Sequence, residues 1–367
     1  MRRLARYIMR IALAAAVCGA AVLLLLWIEH RRSIELPAPT GPLAVGRTSV
    51  PSRDFRLWIW YPSATAAPAD DYLPAAIRAE WEASRPSFIN FLTADLSKVR
   101  GHSARDVAVS SAGAPYPVVM LGGGGSGTSG LSFSTLAEDL ASHGYLVVSV
   151  DAAAGRNPEL CVGRADEDAC ATDLMVPLVE RIGRALDRLK ALSIDDTRFR
   201  DKIDLARVGV VGHSFGGAQA AQFCAQDRRC AAGIDIDGRL FSSVVRTGLS
   251  VPFMFLLSDH GSLKDPIDQQ IMDQIQTVYD RQPRDTRMRA VIRGAHHFTF
   301  SDDGALLKSA VFRVLLRLLG RLHIDGRRQV VVTAYALRTF VDAHLKERTG
   351  WRTAFTSPAY PELVELP

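Results

Sequence analysis

From residue 116 onward, short strand-like runs alternate with segments whose apolar residues repeat at helical spacing. The predicted strands cover residues 117–121, 145–150, 208–211, 231–236, 252–257 and 287–292. Predicted helices cover 133–140, 178–189, 217–224, 305–322 and 334–346, with Pro177 near the first turn of the second. Buried parallel strands joined by crossover helices produce this pattern. The chain is therefore predicted to have an α/β fold: a mostly parallel central sheet flanked by helices.

Two further strands are predicted upstream, at 43–50 and 55–61. A Pro-Ser-Arg-Asp turn between them indicates an antiparallel pair. Residues 63–116 are rich in Ala, Pro and Ser, with a predicted helical stretch around 74–98 and no catalytic motif. This segment is interpreted as an insertion in the domain.

The strand at 208–211 leads into the motif Gly212-His-Ser214-Phe-Gly216-Gly217. A G-x-S-x-G sequence between a strand and a helix is typical of a nucleophile elbow, in which a strained turn exposes the serine. A Cβ two positions from the serine would clash in such a turn, which explains the flanking glycines. Ser214 is therefore the predicted nucleophile.

A serine nucleophile needs a histidine base, and in this arrangement the base comes late in the chain. His296 and His297 follow the predicted strand at 287–292. Two adjacent histidines do not both face one serine, so one of them is the expected base. The histidine in turn needs a carboxylate that orients it. Asp237 and Asp259 each follow a strand, and spacing alone does not choose between them.

An oxyanion hole requires two backbone N–H donors. One is expected from Phe215, the residue after the nucleophile. The other is expected from the loop after the strand at 117–121, where residues 122–127 read Gly-Gly-Gly-Gly-Ser-Gly. Glycines let the backbone approach a substrate closely.

The N-terminal residues contain an uncharged apolar run from residue 11 to residue 28, preceded by four arginines. Eighteen such residues reach the lower limit for a membrane-spanning helix. The arginines predict an N-terminus in the cytoplasm and an exported catalytic domain, periplasmic or extracellular. The predicted organisation is a membrane anchor at 1–30, a linker at 31–42 and a catalytic domain at 43–367. A cleaved signal peptide, leaving a secreted protein, is the alternative for the first segment.

The five cysteines agree with export. Apart from Cys18 they form two local pairs, Cys161 with Cys170 and Cys224 with Cys230. An even number in an exported domain indicates disulfides. Three pairings are possible, and the two local bonds are the expected ones. No spacing matches a zinc site, so no metal or cofactor is expected.

The net charge of +5 raises the question of nucleic-acid binding. The basic residues are distributed along the whole chain, and no basic cluster is interleaved with aromatic residues. A solvated surface explains this distribution, so no nucleic-acid partner is expected. The sequence does not indicate an oligomeric state.

These motifs resemble the platelet-activating factor acetylhydrolase-like branch of the α/β-hydrolases, close to the dienelactone hydrolase and bacterial lipase groups. The resemblance runs through residues 43–320. Its motifs are the stretches at 60–62, 116–120 with its glycine-rich loop, 139–145, 212–217, 236–238 and 293–302. It implies an α/β-hydrolase fold, with Asp237 as the acid, His297 as the base and the second oxyanion donor at Ser126. Gly124 departs from the family pattern, which usually has histidine there.

The expected function is a serine ester hydrolase, carboxylesterase- or lipase-like, that works through an acyl-enzyme. Small-molecule or lipid esters are the expected substrates, with short-acyl phospholipids among them. Two alternatives stay open: an acyltransferase or peptidase that uses the same site, and a non-catalytic envelope protein that binds lipid.

Overall fold

The computed structural model describes residues 2–84, 95–123, 130–152, 161, 164–259, 266–307, 309–320 and 322–367. They fall into two compact units. The first comprises Met1–Glu35, Asp71–Arg100 and Leu306–Leu322, and the second comprises Leu36–Asp70, Gly101–Ala305 and His323–Pro367. The sheet and the candidate site belong to the second unit. The predicted division into anchor, linker and catalytic domain remains a prediction.

The strands of the described chain include a ten-stranded sheet in the order β12-β11-β10-β9-β8-β6-β7-β3-β2-β5. The twelve strands are β1 (Ile34–Glu35), β2 (Val45–Pro51), β3 (Phe55–Pro62), β4 (Val99–Arg100), β5 (Ala104–Arg105), β6 (Tyr116–Gly122), β7 (Leu146–Ala152), β8 (Ile203–His213), β9 (Cys230–Ile236), β10 (Phe253–Leu257), β11 (Arg287–Ile292) and β12 (Leu363–Glu365). Six neighbouring strands of this sheet pair in parallel, in the spatial order β7-β6-β8-β9-β10-β11. Antiparallel pairing occurs between β2 and β3, β3 and β7, and β11 and β12.

The helices of the described residues are α1 (Arg2–Arg31), α2 (Ala75–Ser84), α3 (Ser134–Ser142), α4 (Glu167–Asp195), α5 (Phe215–Gln226), α6 (Val244–Thr247), α7 (Pro266–Arg281), α8 (Asp302–Leu306), α9 (Ala310–Leu318), α10 (Gly326–Leu345) and α11 (Trp351–Phe355). Short 3₁₀ turns occur at Leu96–Lys98, Gly130–Phe133 and His297–Thr299. Strands and helices alternate from β6 to β11, as the sequence pattern predicts.

The central strands are buried on both faces. Val118, Val119, Val147 and Val148 have no solvent exposure although neighbouring residues of a strand point to opposite faces of the sheet. Such burial requires cover on each side, which crossover helices supply. The predicted α/β class, with a mostly parallel sheet, is confirmed.

Three predicted helices differ from the structure. The described part of the stretch predicted around 74–98 contains α2 and a 3₁₀ turn. Pro177 lies inside α4, ten residues after its start, because buried residues such as Ala171 and Met175 extend the apolar stripe upstream. The single helix predicted over 305–322 is α8 followed by α9, since the Ser309 side chain accepts a hydrogen bond from the Phe312 N–H and starts a new helix.

The cysteines pair locally as predicted. Disulfides join Cys161 to Cys170 and Cys224 to Cys230. The second bond connects the end of α5 to the start of β9, two elements that flank the candidate nucleophile.

In the first unit, α1 contains a stretch from Arg6 to Arg31 that is long and apolar enough to cross a membrane. The predicted linker at 31–42 contains β1, which pairs in parallel with β4.

Candidate active site

Ser214 stands between the end of β8 and the start of α5. Its backbone has φ 57° and ψ −126°, a left-handed conformation that non-glycine residues rarely adopt. The Ser214 N–H donates to the Ile236 carbonyl at the end of β9 (2.8 Å), which holds the turn against the next strand. This strained strand-to-helix turn is the predicted nucleophile elbow.

The elbow leaves no room for side chains at its two glycines. A Cβ on Gly212 would lie 1.9 Å from the Gly216 carbonyl oxygen, and one on Gly216 would lie 2.6 Å from the Gly123 carbonyl oxygen. Both obstacles are backbone atoms, which do not move aside as a flexible side chain does. The clash predicted from the G-x-S-x-G spacing is therefore present on both sides of Ser214.

Ser214, His297 and Asp237 form one chain of hydrogen bonds. His297 Nε2 lies 3.1 Å from Ser214 Oγ, and His297 Nδ1 lies 2.8 Å from Asp237 Oδ2. Because an ionised carboxylate only accepts, Nδ1 carries the proton and Nε2 presents its lone pair to the serine. This is the arrangement in which a histidine can remove a proton from a serine hydroxyl.

Asp237 is the first residue after β9, with φ 55° and a side chain only 2% exposed. Ser258, at the end of the neighbouring strand β10, fixes this carboxylate: its N–H donates to Oδ1 and its Oγ–H donates to Oδ2, both at 2.7 Å. Asp237 Oδ2 therefore receives hydrogen bonds from Ser258 and His297 together. Sequence reasoning missed Ser258, which directly follows β10 and precedes the alternative acid Asp259 by one residue.

The alternative acid and the alternative base hold the turn that carries His297. Asp259 Oδ2 accepts a hydrogen bond from the Gly294 N–H (2.7 Å), and Gly294 has φ 75°. The His296 side chain caps the 3₁₀ turn at His297–Thr299, with Nδ1 accepting from the Phe298 N–H. The structure thus joins Asp237 and His297 to the serine, and gives Asp259 and His296 other hydrogen-bond partners.

His213, inside the elbow motif, was also missed. Its Nε2 lies 2.9 Å from the His297 carbonyl oxygen and must donate to it, and the two rings lie 4.6 Å apart. Burial lowers the pKa of His213 to about 4, with the neighbouring His297 ring as a second cause. The side chain is therefore neutral near pH 7. The signal available in the sequence was its position between Gly212 and Ser214.

Asp235, on β9, is buried against the elbow. The side chain has no solvent exposure, and Oδ1 accepts from the Gly238 N–H at 2.8 Å. Burial, and then the charge of Asp237, raise its pKa well above the usual value, so the carboxyl is neutral. A second negative charge beside Asp237 is thereby avoided.

Of the two predicted oxyanion donors, Phe215 is the first residue of α5. Its backbone N–H belongs to the unpaired amides at the start of that helix, where negative charge is stabilised. Ser126 lies outside the described residues. Beside His297, the Phe298 side chain is 71% exposed, and its ring packs edge-on against the His297 ring at 5.1 Å.

In this mostly parallel sheet, a serine follows β8 in a sharp turn, an aspartate follows the next strand β9, and a histidine comes late in the chain. This order of elements and residues defines an α/β-hydrolase fold. A solved structure agrees. The ferulic acid esterase from Streptomyces cinnamoneus superposes with a TM-score of 0.72 at 23% identity, covering 92% of this chain and 100% of that one. At this identity the likeness concerns the fold.

Residues 161–356 match the model of the family described as platelet-activating factor acetylhydrolase, isoform II. The match covers more than half of the chain, and the chain belongs to this family. It includes Ser214, Asp237 and His297.

Individual relatives are distant. The platelet-activating factor acetylhydrolase of Bos taurus is 25% identical over 271 residues, which cover 64% of this chain and 58% of the relative. The corresponding protein of Canis lupus familiaris is 24% identical, with 52% and 49% covered. A probable 1-alkyl-2-acetylglycerophosphocholine esterase of Arthroderma benhamiae is 25% identical over 279 residues, with 72% and 67% covered. The chain thus spans only 58% and 49% of the two mammalian relatives.

Proposed function

We propose that the protein is a serine ester hydrolase in which Ser214 is the nucleophile, His297 the base and Asp237 the acid. The observation that carries the proposal is the hydrogen-bond chain from Ser214 Oγ through His297 to Asp237, at 3.1 and 2.8 Å. Family membership and the names of the relatives support the same chemistry. A lipid-binding protein without catalysis has no need of this alignment.

The reaction begins when Ser214 Oγ attacks the ester carbonyl carbon while His297 Nε2 takes the hydroxyl proton. Asp237 stabilises the imidazolium that forms. The carbonyl oxygen becomes an oxyanion, which accepts hydrogen bonds from the Phe215 amide and, in the proposal, the Ser126 amide. Collapse of this intermediate breaks the bond to the leaving oxygen, which receives the proton from Nε2 and departs as the alcohol.

Water then repeats the sequence on the acyl-enzyme. His297 takes a proton from water as the oxygen attacks the acyl carbon, and returns it to Ser214 Oγ when the carboxylic acid leaves. Each cycle consumes one ester and one water and yields one alcohol and one acid. The residues of the chain perform every proton transfer.

We propose short-acyl esters of phospholipids as the substrate class. The relatives named for platelet-activating factor acetylhydrolase and for 1-alkyl-2-acetylglycerophosphocholine esterase support it. Phe298, exposed beside His297, provides an apolar surface next to the triad for the alcohol part of such a lipid.

Hydrolysis of p-nitrophenyl esters of increasing acyl length, and of 2-acetyl and long-chain phospholipids, tests this function. We expect the highest kcat/KM for the shortest acyl groups and loss of several orders of magnitude in Ser214→Ala. A folded Ser214→Ala protein that hydrolyses esters at the parent rate would refute the nucleophile. Preference for long-chain phospholipids would refute the substrate class alone.

We further propose that α1 remains uncleaved as a single-pass anchor, with the N-terminus in the cytoplasm and the sheet-bearing unit exported. The apolar span from Arg6 to Arg31 and the two disulfides support this location. Membrane fractionation combined with mass spectrometry of the N-terminal peptide tests it. A mature chain that starts after residue 31 contradicts the anchor and indicates secretion.

A further inference from the structure

His213 connects the turn that carries the nucleophile to the turn that carries the base. It is the last residue of β8 and directly precedes Ser214. Its Nε2–H donates to the backbone carbonyl of His297 at 2.9 Å, although the two histidines are 84 positions apart in the sequence. No other described residue donates a hydrogen bond to this carbonyl. The covalent neighbour of the nucleophile therefore holds the backbone of the base.

Two other hydrogen bonds hold the turn around the base, and both lead away from the serine. On its upstream side, the Gly294 N–H donates to Asp259 Oδ2, which comes after β10. On its downstream side, Thr299 Oγ1 donates to Gln329 Oε1 on α10. These contacts fix the turn to β10 and α10. The bond from His213 fixes it to β8, the strand that presents the nucleophile.

The rings around His213 keep its N–H donor in one place. The ring centroids of Phe133 and Phe300 lie 5.7 Å and 5.9 Å from that of His213, and both phenylalanines are fully buried. The His297 ring is the third neighbour, at 4.6 Å. A buried ring that is packed on several sides has its rotamer fixed, so its donor is oriented before any substrate binds.

His213 holds the base without adding charge. Burial lowers the pKa of His213 to about 4, so the ring is neutral near pH 7. A cationic side chain at this position would repel the positive charge that His297 acquires when it takes the serine proton. A neutral N–H donor fixes the backbone of the base and avoids this repulsion.

The distance that this bond controls has little tolerance. His297 Nε2 lies 3.1 Å from Ser214 Oγ, close to the upper limit of about 3.2 Å for direct proton transfer. A misplacement of about 1 Å at a reacting centre costs about a hundredfold in rate. A small displacement of the base turn is therefore enough to slow the reaction.

We propose that His213 is a positioning residue, which keeps His297 within reach of Ser214 by donating a hydrogen bond to the backbone carbonyl of His297. It acts through the base and takes no part in the proton transfers. The inference rests on the proposed function. It assigns to β8 a second task besides presenting the nucleophile.

Three substitutions of His213 separate its donor from its ring. His213→Phe keeps an aromatic ring and removes the donor. His213→Gln keeps a donor, because its amide nitrogen is separated from Cα by as many bonds as Nε2 of histidine. His213→Asn is the matched control, since its shorter side chain places the amide nitrogen level with Nδ1 instead. Circular dichroism and thermal unfolding of each variant show whether it is folded.

Steady-state hydrolysis of p-nitrophenyl acetate gives kcat and KM, and the rate of labelling by a fluorophosphonate reports on the nucleophile without turnover. We expect kcat to fall by about ten- to a hundredfold in the Phe and Asn variants, with KM changed by less than about threefold. The Gln variant should keep kcat within about threefold of the parent value. The labelling rates should follow the same order. A purely structural role would change the melting temperature without separating Gln from Asn in kcat.

Folded Phe and Asn variants with the parent kcat would overturn the inference. A Gln variant as slow as the Asn variant would also overturn it, because the donor would then not be the cause, and so would a loss confined to KM. If the Phe variant does not fold, the comparison of Gln with Asn decides. A parent protein that neither hydrolyses esters nor reacts with the fluorophosphonate refutes the proposed function as well, whereas an active parent with unaffected variants refutes the role of His213 alone.

Discussion

Replacing Asp237 by Asn tests which carboxylate serves the histidine. The Asn side chain keeps one oxygen, which can accept from Ser258, but it presents an NH₂ group where Asp237 Oδ2 now accepts from His297 Nδ1. The ring then accepts at Nδ1 and carries its proton on Nε2, facing Ser214. In this tautomer the histidine cannot take the hydroxyl proton.

The expected loss follows from the geometry. Unit charges 2.8 Å apart interact by about 6 kcal/mol at an effective dielectric constant of about 20, and Asp237 provides this interaction when His297 becomes charged. Such a loss corresponds to about ten-thousandfold in kcat. The same substitution in the serine protease triad costs about as much.

Asp259→Asn is the matched control. Its retained oxygen still accepts from the Gly294 N–H, so we expect kcat to fall by less than about tenfold and the melting temperature to drop slightly. Steady-state hydrolysis of p-nitrophenyl acetate gives kcat for both variants, and circular dichroism shows that each is folded. A folded Asp237→Asn enzyme near the parent rate, beside an inactive Asp259→Asn enzyme, would refute the assignment.

His297→Ala is expected to lose several orders of magnitude in kcat, whereas His296→Ala loses far less because the His296 side chain caps the turn; equal losses in ester hydrolysis would reassign the base. Ser258→Ala removes a donor to Asp237 and is expected to lower kcat about tenfold with KM nearly unchanged, since a hydrogen bond to a charged group contributes about 1.5–3 kcal/mol; an unchanged kcat argues against this positioning role. His213 has a pKa of about 4 when folded and about 6.5 when unfolded, so the unfolded state gains a proton first as the pH falls. The free energy of unfolding should therefore decrease between about pH 6.5 and 4, by up to about 3 kcal/mol; urea titrations should show a weaker decrease in His213→Gln, and identical pH profiles would contradict this origin.

The elbow could be predicted from the sequence because its requirements are local. Ser214 needs a left-handed backbone, and the crowding around it excludes any side chain at Gly212 and Gly216. Both requirements are visible in a motif of five residues. The role of His213 is not visible in a local motif, because its partner, the His297 carbonyl, lies 84 residues away in the sequence.

The acid could not be chosen from local pattern. Asp237 and Asp259 both follow strands, and neither spacing nor apolar periodicity separates them. The pairing of β9 with β10 separates them, because it brings Ser258 against the Asp237 carboxylate and directs Asp259 towards Gly294. Only the family resemblance, which reflects that three-dimensional arrangement, selected Asp237.

The predicted helix boundaries were wrong where tertiary packing or a capping residue had more influence than the apolar pattern. Proline usually occurs in the first turn of a helix. Yet α4 begins ten residues before Pro177, because its upstream turns pack Ala171 and Met175 into the core. In contrast, the apolar pattern at 305–322 hides an interruption that Ser309 produces by capping α9. The strand β12 was missed because three residues at an edge carry too little periodicity.

The central claim is that Ser214 is an activated nucleophile, and covalent labelling tests it most directly. A fluorophosphonate phosphonylates an activated serine: the oxygen attacks phosphorus as a neighbouring base removes its proton, and fluoride leaves. The folded protein should therefore gain the mass of one adduct. Peptide mapping by mass spectrometry should place the adduct on Ser214, and His297→Ala should abolish it. A folded protein that stays unlabelled, or that is labelled at another residue, would contradict the account.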